Sequence, residues 1–137
     1  MTPSRRLAKT RSATSADANA YLAKAREFLR AAVDSRALGN HVAAAGNAVH
    51  AGIAAADAIA TVRVGAVWIG EHSQAAGHVE GAGGSDGRQA AAQLRRLLPL
   101  KTRAEYDPRP VTAGEAAAAV KAAERIVNIA ERVVGVR

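Results

Sequence analysis

The sequence predicts an all-α fold, an up-down bundle of four to five helices, and three observations carry that expectation. Alanine supplies 36 of the 137 residues, and Ala is the best helix former and a poor filler of β-sheet surfaces. Apolar residues return every three to four positions over several long stretches, the spacing of one buried helical face. No stretch reads as a convincing strand. The length fits one domain, and 49% apolar residues allow a real core.

The elements follow in order. Residues 1–14 are expected to be a disordered basic tail, and residues 15–137 the helical bundle. Arg5, Arg6, Lys9 and Arg11 contribute four of the seven net positive charges, whereas the chain from Ser12 onward holds 15 basic and 12 acidic residues. Such an arm can contact nucleic acid phosphates or an acidic partner, or serve as a solvated leader. The first helix is expected from Ser15, as N-cap, to Asp34. Its buried face is Leu22, Ala25, Leu29 and Ala32, and Asp17 suits the first turn. Ser35–Gly39 reads as a connection. The second helix should run from Asn40 to Val62 on a stripe of Val42, Val49, Ile53, Ala56 and Ala60, with Gly46 and Gly52 permitting a close neighbour. These two helices form an antiparallel hairpin.

Between Gly65 and Gly87 the pattern weakens. Glu71–Glu80 suggests a short helix, and Gly81–Gly87 reads as a flexible loop. A further helix is expected from Asp86 to Leu98, stopped by Pro99, with Lys101–Pro110 as an extended, charged connection because of Pro108 and Pro110. The last helix has the clearest start. Thr112-Ala113-Gly114-Glu115 is a capping box, and Ala116, Val120, Ala123, Val127, Ala130 and Val134 continue one face towards Gly135.

Composition also excludes chemistry. With no cysteine there are no disulfides, thiolate nucleophiles or Cys-type zinc sites. No uninterrupted apolar run reaches about 18 residues, so no membrane-spanning helix and no membrane partner are expected. Met1–Thr10 is basic but no apolar segment follows it, which argues against a secretory signal. The expected location is the cytoplasm.

Three stretches resemble the HEPN domain family, the small helical bundles of prokaryotic nucleotide-related and RNase toxin systems, in their Ala-rich actinobacterial form. They are the Ala-rich second helix from Asn47 to Ile59, the late segment Leu97–Pro108, and the final helix opening Val111-Thr112-Ala113-Gly114-Glu115-Ala116. The resemblance as a whole covers roughly residues 20–134. The resemblance implies a dimer across helical faces, and a partner that is RNA, a nucleotide, a nucleotidyltransferase-type protein or another subunit of a toxin–antitoxin system. It also implies, for the active ribonucleases, an Arg followed four to six residues later by a His near the late helix.

Here that place reads Lys101-Thr102-Arg103-Ala104-Glu105-Tyr106, and no His occurs after His78. Tyr106 stands where the His would be, and a phenol with an ordinary pKa of about 10 is a poor base at neutral pH. The departure argues against catalysis and for a non-catalytic binding or interaction module. The alternatives are a ribonuclease toxin with a degenerate or displaced motif, and a structural accessory protein with no nucleic acid role. The one literal Arg-x4-His match, Arg36 and His41, lies between the first two helices. Lys101, Arg103 and Arg109, with Arg95 and Arg96 nearby, can form a phosphate-binding surface or a salt-bridged loop. Tyr106 is expected to pack its ring into the bundle.

His50 and Asp57, two turns apart, can couple across one helix face, but a structural His50 satisfied by an inter-helix hydrogen bond is the favoured reading. His72 and His78, spaced i, i+6, do not share a helical face, which disfavours metal. The Gly81–Gly87 run lacks the Gly-Lys-Ser/Thr of a phosphate-binding loop. No cofactor is expected.

Overall fold

The computed structural model describes residues 9–136. Its elements are β1 (Thr10–Ser12), α1 (Ser15–Ala37), α2 (His41–Val64), β2 (Ala66–Trp68), a 3-10 turn (His72–Gln74), α3 (Ala75–Ala82), α4 (Gly84–Glu105) and α5 (Ala113–Gly135). The all-α bundle expected from the sequence is the observed fold, with a two-stranded antiparallel ribbon added to it.

Each long helix can be traced to its sequence. Thr14, one residue before the expected cap, starts α1. Its side chain accepts from the Asp17 N–H while Asp17 Oδ2 accepts from the Thr14 N–H at 2.8 Å. The helix then runs past Asp34 to Ala37, and Gly39 at φ +78 turns the chain into α2. The capping box expected at Thr112 and Glu115 is present, with bonds of 3.0 and 3.1 Å. On α5, Ala116, Ala123, Val127 and Ala130 are all buried.

The helix α2 is the core. It packs against α1, α3, α4 and α5, and its Val49 and Ile59 are fully buried. It is also long and apolar enough to cross a membrane, with an 18-residue window of mean hydropathy 1.3. Alanines lift the mean although few large side chains are present, and 61% of that window is buried against neighbouring helices. Gly46 sits beside Ala104 and Gly52 beside Leu97, so α4 runs antiparallel to α2. Arg26 pairs with Glu131 at 2.8 Å while Arg36 lies near Ala117 and Lys121, so α5 runs antiparallel to α1.

Three expectations are corrected. The proposed tail 1–14 is a strand in part, because Thr10, Arg11 and Ser12 pair with Trp68, Val67 and Ala66. Its first eight residues lie outside the described range. Gly81–Gly87 is not a loop but a helix–helix corner. The Gly87 N–H donates to Gly83 O at 3.0 Å, and a Cβ on Gly87 would collide with Val79 O. Pro99 does not end α4; the helix continues to Glu105. A proline there forfeits one hydrogen bond, and Pro99 is solvent-exposed, so the helix absorbs the loss. Asp57 makes no hydrogen bond to His50 among the described residues. Its carboxyl is largely buried between α2, α1 and β1, and burial pushes its pKa up to about 7 against the opposing pull of Arg11 and Lys24. The His50 ring instead lies 5.1 Å from that of Phe28.

Candidate functional site

The second half of α4 carries most of the residues expected to matter, and the helix presents them to two different sides. One side faces α5 across a groove. The other faces the 3-10 turn across a cleft. Lys101 and Arg103 are two positions apart, about 200° around a helix, so they part company: Lys101 lines the cleft and Arg103 the groove.

The groove begins in a cavity of about 460 Å³. Its floor is Pro99, Leu100, Ala118 and Ala119, and Arg96, Lys121 and Arg125 stand around it. Arg125 also borders the next depression along the same seam, where Ala92 and Ile129 continue the apolar floor. From Gln89 to Arg103 the seam spans about 21 Å, at 1.5 Å per helical residue. Among the described residues, Arg96, Lys121 and Arg125 form no ion pair. Arg103 is different. It pairs with Glu115 and donates to Pro110 O at 2.8 Å, which ties α4 to the start of α5. The Arg103 guanidinium and the capping bonds hold the Glu115 carboxyl down to about 2.

The cleft has a volume of about 560 Å³. Glu71, His72 and Ser73 form one wall; Leu98, Lys101 and Thr102 form the other. The Lys101 ammonium is 3.1 Å from Glu105 Oε2, an i, i+4 pair. Partial burial, with Lys101 and His50 nearby, lowers the His72 pKa against the pull of Glu105. At the rim, Arg95 is gripped by both oxygens of Glu80, at 2.8 and 3.2 Å.

The remaining expected residues do not converge on either space. Arg109 binds Asp107 within its own loop, the shortest contact being 2.6 Å, and this holds the Asp107 carboxyl down to about 2. Lys101, Arg103 and Arg109 each have a carboxylate partner, the first within α4, the second across to α5 and the third within the connection. Tyr106 does not pack into the bundle. It follows the end of α4, where its N–H donates to Thr102 O, and its side chain is exposed, with 76% of the residue accessible. Arg36 ends α1 and borders a shallow depression with Val33 and Lys121. His41 begins α2, and its buried Nδ1 has no hydrogen-bond partner. No hydrogen bond joins Arg36 to His41 among the described residues. His78 is 2.9 Å from Ala66 O and stacks near Trp68. No group of three or more His, Asp or Glu side chains is placed to hold a metal ion among the described residues.

Sequence reasoning missed Lys121 and Arg125 as partners of Arg96, although a signal existed. Lys121 and Arg125 are spaced i, i+4 on α5, and Arg96 and Arg103 i, i+7 on α4. It also missed Ser73 and Thr102, which nothing in their local sequence marks. No family model matches this chain, and no curated protein matches it.

Proposed function

We propose that the chain is a non-catalytic helical interaction module whose α4–α5 groove receives an acidic amphipathic helix from a protein partner. The observation that supports this reading is the pairing of an apolar floor with three cations that form no ion pair among the described residues, Arg96, Lys121 and Arg125. A phosphodiester backbone calls for cations alone, whereas a helix laid in a groove uses an apolar face as well. Stacking of single-stranded bases needs aromatic platforms, and the groove lining contains none. The HEPN resemblance, with its implied homodimer and toxin–antitoxin or nucleotidyltransferase-linked setting, belongs to the same proposal and rests on the sequence pattern.

The test uses a synthetic helix with an Ala/Leu face and Glu flanks, followed by fluorescence anisotropy against the full chain. Binding should weaken about ten-fold or more, as for loss of several interfacial charges, when Arg96→Glu, Lys121→Glu and Arg125→Glu are combined, with the helical circular dichroism unchanged. Equal affinity for the variant, or tighter binding of an RNA oligonucleotide than of the peptide, overturns the proposal. RNA cleavage by the purified protein that disappears in His41→Ala would instead establish the ribonuclease alternative.

A further inference from the structure

The cleft on the opposite side of α4 has a chemistry of its own. Three of its polar groups have no hydrogen-bond partner among the described residues: the Ser73 hydroxyl, the Thr102 hydroxyl and the His72 ring. All three border the same cavity as the Lys101 ammonium. Ser73 and Thr102 supply O–H donors from opposite walls. The imidazole supplies an N–H, and Lys101 supplies charge. Leu98 and Pro99 give the cleft an apolar flank beside these donors.

The walls are braced before anything binds. Trp68 Nε1 donates to Glu71 O at 2.8 Å, which fixes the residue preceding His72 and Ser73. Glycine at position 70 allows this, since a Cβ there would come within 2.6 Å of the Trp68 ring. The Gln74 N–H also donates to Glu71 O, at 3.0 Å, closing the turn. Opposite, the double contact between Arg95 and Glu80 holds α4 to α3. A site whose supports are already in place loses less entropy on binding.

We propose that this cleft binds a phosphate monoester, the phosphate lying among Lys101, Ser73, Thr102 and His72 and the ester body against Leu98 and Pro99. The present partner of Lys101 is a single exposed carboxylate on the same helix, a pair weakened by solvent screening. A dianion with three acceptor oxygens displaces it at small cost. The donor set favours phosphate over a cation, because the two carboxylates near the cleft, Glu71 and Glu105, lie on different elements with Lys101 beside one of them.

Binding is coupled to a proton. The groups acting on His72 are Lys101 and Glu105 from α4 and His50 from α2, with desolvation the largest influence. Together they lower its proton affinity, so the ring is neutral at pH 7. A dianion beside Lys101 reverses that balance, and His72 takes up a proton as the ligand enters. Affinity therefore rises as pH falls towards the His72 pKa and declines again where the phosphate monoester takes up its own proton, at about pH 6.

The experiment follows the four histidine ring signals by NMR while inorganic phosphate is added to the full chain. The His72 signal should move along a saturating curve, and its pKa should rise by about half a unit or more. The His41 and His78 signals serve as references and stay still. Ser73→Ala should weaken the affinity about five-fold, and Lys101→Gln should abolish saturation. A sugar phosphate and a nucleoside monophosphate, run as separate arms, identify which ester body the Leu98–Pro99 flank accepts. A shift linear in phosphate concentration, or one unchanged in Lys101→Gln, overturns the proposal. The triple groove variant leaves this titration intact, so failure here and failure of the peptide-binding reading are separable.

Discussion

Where α2 meets α4, Gly52 lets Leu97 and Ile126 close on the helix: a Cβ at position 52 would stand 2.5 Å from Leu97 Cδ1 and 3.2 Å from Ile126 Cδ1. Where α4 meets the 3-10 turn, the space stays open, and the contacts that brace its separate walls are polar and few: Trp68 to Glu71, Arg95 to Glu80 and Lys101 to Glu105. The same helix therefore has one edge fixed by shape and another fixed by directed bonds. The difference separates stability from recognition. Packing without slack holds the bundle together, and the loosely filled side keeps donors available to a ligand.

Breaking the packed edge should have the largest effect. Leu97 is fully buried, and Leu97→Ala removes its contacts while leaving a cavity that its neighbours cannot fill. We expect a loss of about 4 kcal/mol in chemical denaturation. Adding Gly52→Ala in that background should recover part of it. The nearest obstacle to a methyl group at position 52 is then gone, Ile126 Cδ1 at 3.2 Å need give only slightly, and Ala exceeds Gly in a helix by about 1 kcal/mol. If the second change recovers nothing, or destabilises further, the seam is not limited by the Gly52–Leu97 contact.

A second test concerns the charge buried on the α1–α2 side. Asp57 has a folded-state pKa of about 7 against an ordinary 3.8. Between those values the folded chain holds a proton that the unfolded chain has released, so stability falls as pH rises from about 4 to about 7 and is flat above. Asp57→Asn should therefore give no gain near pH 4 and a gain that levels off above pH 7. A shift of that size corresponds to at most about 4 kcal/mol, and partial solvent contact reduces the expectation to about 2 kcal/mol. A gain equal at pH 4 and pH 8 would show that charge is not the cause.

What the sequence revealed follows the same division. In α1, α2 and α5 the buried positions repeat at helical spacing, and caps mark two of the starts, so their spans were legible to within three residues. The α3–α4 corner was not. Seven residues rich in glycine read as a loop, yet at Gly87 the missing side chain serves a close approach to the α3 backbone. Pro99 read as a stop, but whether a helix tolerates the lost bond depends on what surrounds it. The strand β1 is three residues long and exists through pairing with β2, which local pattern does not encode. The site shows the same limit. Lys101 was legible as a cation near the end of α4. That His72 and Ser73 stand across from it depends on the turn from β2 into α3, and no spacing in the sequence reports that.

The smallest expected change is the most discriminating. Trp68→Phe keeps most of the ring and removes the Nε1–H that donates to Glu71 O. The carbonyl retains the Gln74 N–H, and the position is only half-buried. Loss of one such bond costs about 1 kcal/mol, and less where water can replace it. Thermal unfolding should move by a few degrees at most. The cleft should respond more strongly, since one wall is no longer held across from α4, and the saturation of the His72 signal by phosphate should shift to several-fold higher concentration. Leu97→Ala makes the opposite pattern: a large loss of stability, with the cleft's polar groups untouched in the molecules that remain folded. If Trp68→Phe lowers stability and leaves the phosphate titration unchanged, the tryptophan bond is part of the bundle's packing, and the distinction between the two edges of α4 fails at that point.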